Sequence, residues 1–257
     1  MENEFWGDYH MHTTYSDAIS SDMEGVIKKG IELGFKQIAI TDHSYSNIFL
    51  CLTPKKVEKQ HKEIDILQKK YPQIEILKGI EANILDEEGS FDLSLEDCKI
   101  FDVINLGFHR HLKLINLKTK KFQLANGFVN EVFPKLINTT ERAQRNTDSY
   151  IEIIEKYPIS TLAHINNGTK VDHVRLATAC SKCGTYVEIN RLFFKLIDPI
   201  LDELVSKTDC TFIIDSDAHK IDDIGDYTKA RKAIADGRVP LNRIANYKRF
   251  PEFRSTK

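Results

Sequence analysis

The sequence predicts an α/β protein whose parallel strands close, or nearly close, into a barrel. Three observations carry that expectation. Seven mostly apolar runs alternate with helical patterns along the 257 residues, as in a parallel sheet covered on its outer side by helices. Histidines and acids collect just after those runs, at the strand ends where barrels hold their active sites. No Gly-rich phosphate loop of the G-x-G-x-x-G or Walker kind appears, so the usual signature of an open nucleotide-binding sheet is missing.

The elements follow in order. Phe5, Trp6 and Tyr9 read as a short strand leading through DYHMHTTYSD (8–17). His10 and His12 are two apart, and on a strand that spacing puts both imidazoles on one face. A helix opens at Ser21, whose S-x-x-E with Glu24 is a capping-box pattern. Met23, Val26, Ile27 and Ile31 continue it at helical spacing, and Gly34 ends it. QIAIT (37–41) is the second strand, running into Asp42 and His43, and strand, helix and strand together have the length of a βαβ unit. Thr53-Pro54 caps a second helix with Val57, Ile64 and Leu67 on one side. After the Pro72 break, IEILKGIEANI (74–84) is a strand carrying Glu81. A short helix at 94–98 precedes FDVINLGFH (101–109), a strand ending at His109.

Residues 110–126 show no clean period, include Arg110, Lys113, Lys118, Lys120 and Lys121, and are expected to form a mobile loop. A long helical region over about 127–156, broken near Asn138, comes next. ISTLAHI (159–165) is a strand with His164. A helix at 169–183, the strand TYVEIN (185–190), a helix at 198–207 and the strand CTFIIDSDAH (210–219) continue the alternation. A helix at about 226–236 and a tail rich in Arg and Lys finish it.

The bulk properties exclude several classes. A formal net charge of -2 argues against a dedicated nucleic-acid binder. No apolar run approaches the ~18–20 residues that span a bilayer, and the acidic start MENEFWGDYH has no signal-peptide core. A cytoplasmic location without membrane contact is expected. Five cysteines, an odd count without disulfide-like spacing, suit a reducing compartment. The C-x-x-C of Cys180 and Cys183 falls in a helical pattern and reads as packing.

A single histidine after a strand is usually a hydrogen-bonded structural residue, and a single Asp there is usually a helix cap. The set outweighs that reading. Five of the seven strands end in histidine, and Glu81 marks a sixth. Of nine histidines, His10, His12, His43, His109, His164 and His219 fall at these ends, leaving His61, His111 and His173 as solvated. Imidazoles and carboxylates without thiolate suit zinc, manganese or iron. So many donors exceed the needs of one tetrahedral ion. More than one metal is expected, with Glu81 or Asp217 able to bridge.

The runs HMHTTYSD, AITDHS, KGIEANI, LGFH, LAH, VEIN and DSDAH resemble, in order, the motifs of the polymerase and histidinol phosphatase (PHP) family. The resemblance runs from residue 8 to about 220. KGIEANI with LGFH is most similar to the small stand-alone bacterial PHP phosphatases. HTTYSD and ITDHS are equally similar to the PHP domain of bacterial X-family DNA polymerases.

The resemblance implies one domain over 1–257, a distorted (β/α)7 barrel and a centre of two or three divalent transition metals. One metal would take His10, His12, Glu81 and Asp217. A second would share Glu81 and add His109 and His164. A third would be held by Asp17, His43 and His219. Here the family's S-D-G is Ser16-Asp17-Ala18, which bears on the third site. The implied reaction is hydrolysis of small phosphomonoesters by a metal-bound hydroxide, with His10, His12, Glu81, His109 and Asp217 at the catalytic centre. Arg191, directly after VEIN, could present a planar fork to a phosphate oxygen. Arg110 is a second such candidate, and Asn190 could orient a ligand or simply make a turn.

Three alternatives stand beside this reading. A 3'-5' exonuclease or 3'-phosphatase on nucleic-acid ends is motivated by the basic stretch 110–121, but is not favoured. An amidohydrolase-type barrel would need a bridging lysine where this chain has Glu81 and His109. A non-catalytic metal-binding module would be expected to lack ligands, and none is missing.

Overall fold

In the computed structural model, which describes residues 4–48, 50–129, 132 and 139–254, seven parallel strands pair in chain order. They are β1 (Gly7–Asp8), β2 (Gln37–Ile40), β3 (Glu75–Asn83), β4 (Val103–Gly107), β5 (Thr161–Leu162), β6 (Tyr186–Asn190) and β7 (Phe212–Asp215). The last strand returns to the first. Met11 forms a parallel bridge with Ala218, and His12 donates its N–H to the Ala218 carbonyl at 2.9 Å. The sheet is therefore a nearly closed barrel, as the sequence predicts.

The helices follow the strands. Helix α1 (Met23–Glu32) is capped by Asp22, whose side chain accepts from Gly25 N at 2.8 Å. The capping box expected at Ser21 is thus one residue off, because the Ser21 hydroxyl is turned to the His219 carbonyl. Gly34 ends the helix at φ +78, a conformation that glycine takes without cost. Helix α2 (Pro54–Lys70) is capped by Thr53 and buries Val57, Ile64 and Leu67, as expected. It also buries Gln60, which reaches the site. Helix α3 (Leu95–Cys98) has the capping box, between Ser94 and Asp97.

The stretch 110–126 is not simply a loop. It contains α4 (Leu117–Gln123), capped by Asn116 through Thr119 N at 2.9 Å, followed by a π-helical turn over Leu124–Val129. Two turns of helix are too short to display a period. The expected helix at 127–156 is observed as α5 (Thr140–Lys156), and its break near Asn138 lies outside the described residues. Helix α6 (His173–Cys183) starts behind an Asp172 cap. The helix expected at 198–207 is divided into α7 (Phe194–Ile197), a 3-10 turn at Asp198–Ile200 containing Pro199, and α8 (Leu201–Lys207). Helix α9 (Thr228–Ala235) comes last.

The core lies between strands and helices. Ile38, Ile40, Ile80, Leu106, Val187 and Ile214 pack with helix residues such as Val26, Ile64, Ile153, Leu176 and Leu204. Each such buried side chain contributes roughly 1.5–3 kcal/mol. The alternate strand residues Ala39, Val103 and Ile213 form a smaller cluster with Tyr9 and Ala245, so they face the other side of the sheet. Phe253 packs its ring on Tyr9 at 5.1 Å, which ties down the C-terminal segment. Among the described residues no helix is long and apolar enough to cross a membrane.

Candidate metal centre

The polar residues at the strand ends meet at one place. His10, His12 and Asp17 follow β1, and His43 follows β2. Glu81 lies near the end of β3, His109 follows β4, His164 follows β5, and Asp217 and His219 follow β7. The Glu81 carboxylate is at the centre. Its Oε1 lies 2.7 Å from His164 Nε2, 3.1 Å from His109 Nε2 and 3.3 Å from His10 Nε2. Its Oε2 lies 2.9 Å from His43 Nδ1 and 3.5 Å from His12 Nε2. Asp217 Oδ1 stands 3.3 Å from His12 Nε2, and Asp17 Oδ2 stands 3.2 Å from both His43 Nε2 and His219 Nε2.

Among the described residues, three groups have donor atoms close enough to share a cation: His12, Asp17, His43 and His219; His10, His12 and Asp217; and His43, Glu81 and His109. The grouping differs from the expected sets in three respects. His12 and His43 each stand between two groups, Glu81 does not join His10, His12 and Asp217, and His164 reaches Glu81 without joining a group.

The donors fit metal ions on their own chemistry. His10 Nε2, both ring nitrogens of His12, His43 Nδ1, His164 Nδ1 and Glu81 Oε2 are buried without a hydrogen-bond partner. Leaving a buried polar atom unpaired costs about 1–3 kcal/mol, and a cation between these lone pairs would relieve several at once. Burial, with His43 and His219 nearby, holds His12 below its ordinary pKa, so it stays a neutral donor. For His10, burial opposes protonation, but Asp217, Glu188 and Glu81 overcome it and raise the pKa well above normal. The same opposition at His43 is won by Glu81 and Asp17, which push it up to about 10. Burial would raise Glu81, yet His109, His10 and His43 hold it well below the usual carboxylate range.

Hydrogen bonds behind the site fix which nitrogen faces inward. Glu188, an acceptor only, takes the Nδ1–H of His10 at 2.5 Å, leaving Nε2 to face Glu81. Asn83 donates its amide to Asp92 and to the Asn47 side-chain oxygen, so its own oxygen accepts the Nδ1–H of His109 at 2.6 Å. His219 Nδ1 donates to the Asp217 carbonyl at 3.1 Å. Asp42 accepts from Thr13 N, Thr13 Oγ1, Ser16 Oγ and Gln60 Nε2, and this anchors the turn that carries Asp17. Ala18 does not take a left-handed backbone, so Asp17 reaches the site without the glycine of the S-D-G pattern.

Sequence reasoning missed Glu188, Asn83 and the anchoring role of Asp42. The signal was present: Glu188 and Asn83 are polar residues inside buried strands, on the same alternation as Asn190 and Glu81. Glu188 Oε2 also accepts from His164 N at 2.7 Å and from Asn190 Nδ2 at 2.7 Å. That grip matters because His164 (φ +32) and Asp217 (φ +52) hold the left-handed backbone that non-glycine residues avoid. Gly107 has a different reason. A Cβ there would lie 2.5 Å from His164 Cε1, so the glycine of LGFH lets the ring approach.

Other expected residues lie elsewhere. Arg191 points its guanidinium at Asp223, 2.7 Å away, and not into the ligand cluster. Arg110 runs beside Gly127. Asn190 makes the expected turn, its oxygen accepting from Phe193 N, while its amide donates to Glu188. His111 is exposed, but His173 pairs with Glu203 at 2.6 Å and His61 is half-buried beside Phe101, so neither is solvated as expected. Within the basic stretch, Lys113 Nζ donates to the Tyr45 carbonyl at 2.6 Å and Lys118 pairs with Glu88. Backbone bonds from Ile48 N to His111 O and from Lys113 N to Ser46 O stitch the loops after His43 and His109 together. Cys180 and Cys183 are free thiols, and Cys180 is buried in the core.

A family model described as the PHP domain matches residues 8–192. DNA polymerase/3'-5' exonuclease PolX of Bacillus subtilis is 28% identical over 243 residues, which is 92% of this chain but 39% of that protein. A protein named "Probable phosphatase" from Caldanaerobacter subterraneus subsp. tengcongensis is 26% identical over 251 residues, covering 93% of this chain and 86% of its own. Among solved structures, a histidinol phosphate phosphatase from Lactococcus lactis subsp. lactis, complexed with zinc, L-histidinol and phosphate, matches with a TM-score of 0.56. That match covers 91% of this chain and 93% of the other at 16% identity, and it speaks for the fold alone.

Proposed function

The chain belongs to the PHP domain family, and on that premise we propose that it is a metal-dependent phosphoesterase acting on small phosphomonoesters. One observation carries the reading: five imidazoles surround one buried carboxylate, and four of them, His10, His12, His43 and His164, keep a buried ring nitrogen without a hydrogen-bond partner. The relative named as a probable phosphatase supports the reaction type.

Two or three divalent transition ions would be held by His10, His12 and Asp217, by Glu81 with His109 and His164, and by Asp17, His43 and His219. Bound there, such ions supply Lewis acidity toward phosphate oxygens and acidify water near neutral pH. The chain itself does the positioning. Glu188, Asn83 and the Asp217 carbonyl present His10, His109 and His219 in one tautomer each, so no reorganisation is needed when substrate arrives. Glu81 and Asp217 stay ionised and balance the cations. Arg191 remains a candidate for the substrate phosphate, provided its guanidinium leaves Asp223.

A nuclease reading has one specific support, the similarity to PolX. Against it, Lys113 and Lys118 of the basic stretch are engaged within the protein. The test is turnover of a chromogenic phosphomonoester and of single-stranded DNA by protein loaded with Mn²⁺ or Zn²⁺. The monoester should be hydrolysed. Activity on DNA alone, lost steeply with salt, would replace phosphatase by nuclease.

A further inference from the structure

The loop after β6 carries two consecutive phenylalanines with different fates. Phe194 packs against the hydrophobic core, whereas Phe193 lies outside that cluster. Phe193 is half-buried, and its ring stands 5.0 Å from the ring of His164 at an interplanar angle of 55°. A large aromatic ring that is neither in the core nor free in solvent, and that touches a proposed metal ligand, borders the site itself. It is also held in place. Phe193 N donates to Asn190 Oδ1 at 2.7 Å, Asn190 is fixed by Glu188, and the Arg191 carbonyl accepts from Lys229. The neighbouring Leu192 is 45% exposed.

From this we infer that Phe193 is a specificity-determining wall, against which the alcohol portion of the substrate packs, and that the preferred phosphomonoesters carry a flat apolar group there. The inference rests on the phosphoesterase reading for the phosphate end and adds the chemistry of the other end. A rigid aromatic face favours a planar leaving group by offset or edge contact, and a small hydrophilic alcohol gains little from it.

The test measures binding, so it reads even if turnover fails. Metal-loaded protein is titrated calorimetrically with phenylphosphonate and with methylphosphonate, for wild type, F193A and the volume-conserving F193L. Wild type should bind the phenyl compound about tenfold more tightly, and both variants should lose most of that preference. Metal content, measured in parallel, should be unchanged. Equal affinities in wild type, or a preference that survives in F193L and F193A, overturns the inference. A loss of bound metal in both variants also overturns it, because Phe193 would then be a prop for His164. Failure of the phosphoesterase reading looks different: wild type would prefer phenylphosphonate yet hydrolyse neither phenyl phosphate nor an alkyl monoester.

Discussion

His10 shows how one residue is prepared for chemistry. Its Nδ1–H is taken by Glu188, and its Nε2 is left buried and bare beside Glu81 and Asp217. The two groups should respond differently to mutation. His10→Ala removes a donor and should abolish phosphatase turnover while the metal-free fold, read by circular dichroism, is retained. Glu188→Gln keeps every proposed donor but weakens the bond that orients one. Its expected effect is a fall of about 10–100-fold in metal affinity, measured by competition with a chromophoric chelator. Unaltered affinity would reduce Glu188 to a strand-packing residue. At Arg191 the split between KM and kcat decides. A raised KM with constant kcat in Arg191→Ala marks a phosphate contact. No change in either leaves the residue as the anchor of Asp223.

The elements place these side chains, and their ends matter more than their middles. Helix α1 begins at Asp22 because Ser21 is occupied with the chain beyond β7. Asp22→Ala should therefore cost about 1 kcal/mol in urea unfolding, the usual penalty for a lost cap, and more than Ser21→Ala. At the end of β4, a methyl group on Gly107 would meet the His164 ring. Gly107→Ala should leave the sheet intact but lower the metal content of purified protein. Full occupancy in that variant would show that the ring can shift without loss. The capping pattern at Thr53 was legible because it is local. Helix α4 was not, since its seven residues hold too few turns to betray a stripe and its cap, Asn116, lies between Ile115 and Leu117 rather than in a turn-like polar run.

For the molecule as a whole, the ions should add stability. Ligands that bind only the folded state stabilise it by about 2.7 kcal/mol at a hundred times Kd. For a chain of this length that corresponds to roughly 5–10 °C in melting temperature. Chelation should lower the melting point by that order, and added Mn²⁺ or Zn²⁺ should restore it. An unchanged melting point would argue against any tightly held ion. Acid acts through another residue. Burial, with help from Lys78, holds the His61 imidazole down at about 4 against 6.5 for the free group. Between those values the unfolded chain binds the extra proton, so stability is complete above about 6.5 and declines as pH falls toward 4. The melting temperature should fall between pH 7 and pH 5, and less steeply in His61→Gln.

What the sequence determined by itself is the inventory: strands by their apolar runs, and imidazoles and carboxylates standing in order at the ends of those runs. Such features are written within a few residues of one another, where strand and helix periods act. What only the tertiary structure decided is who touches whom. Glu81 became the hub of five histidines, Glu188 was joined to His10 across 178 positions of chain, and Phe193 was turned to the site while Phe194 entered the core. A hydrogen bond or a ring contact depends on fractions of an ångström, and those are fixed only when the last strand closes on the first.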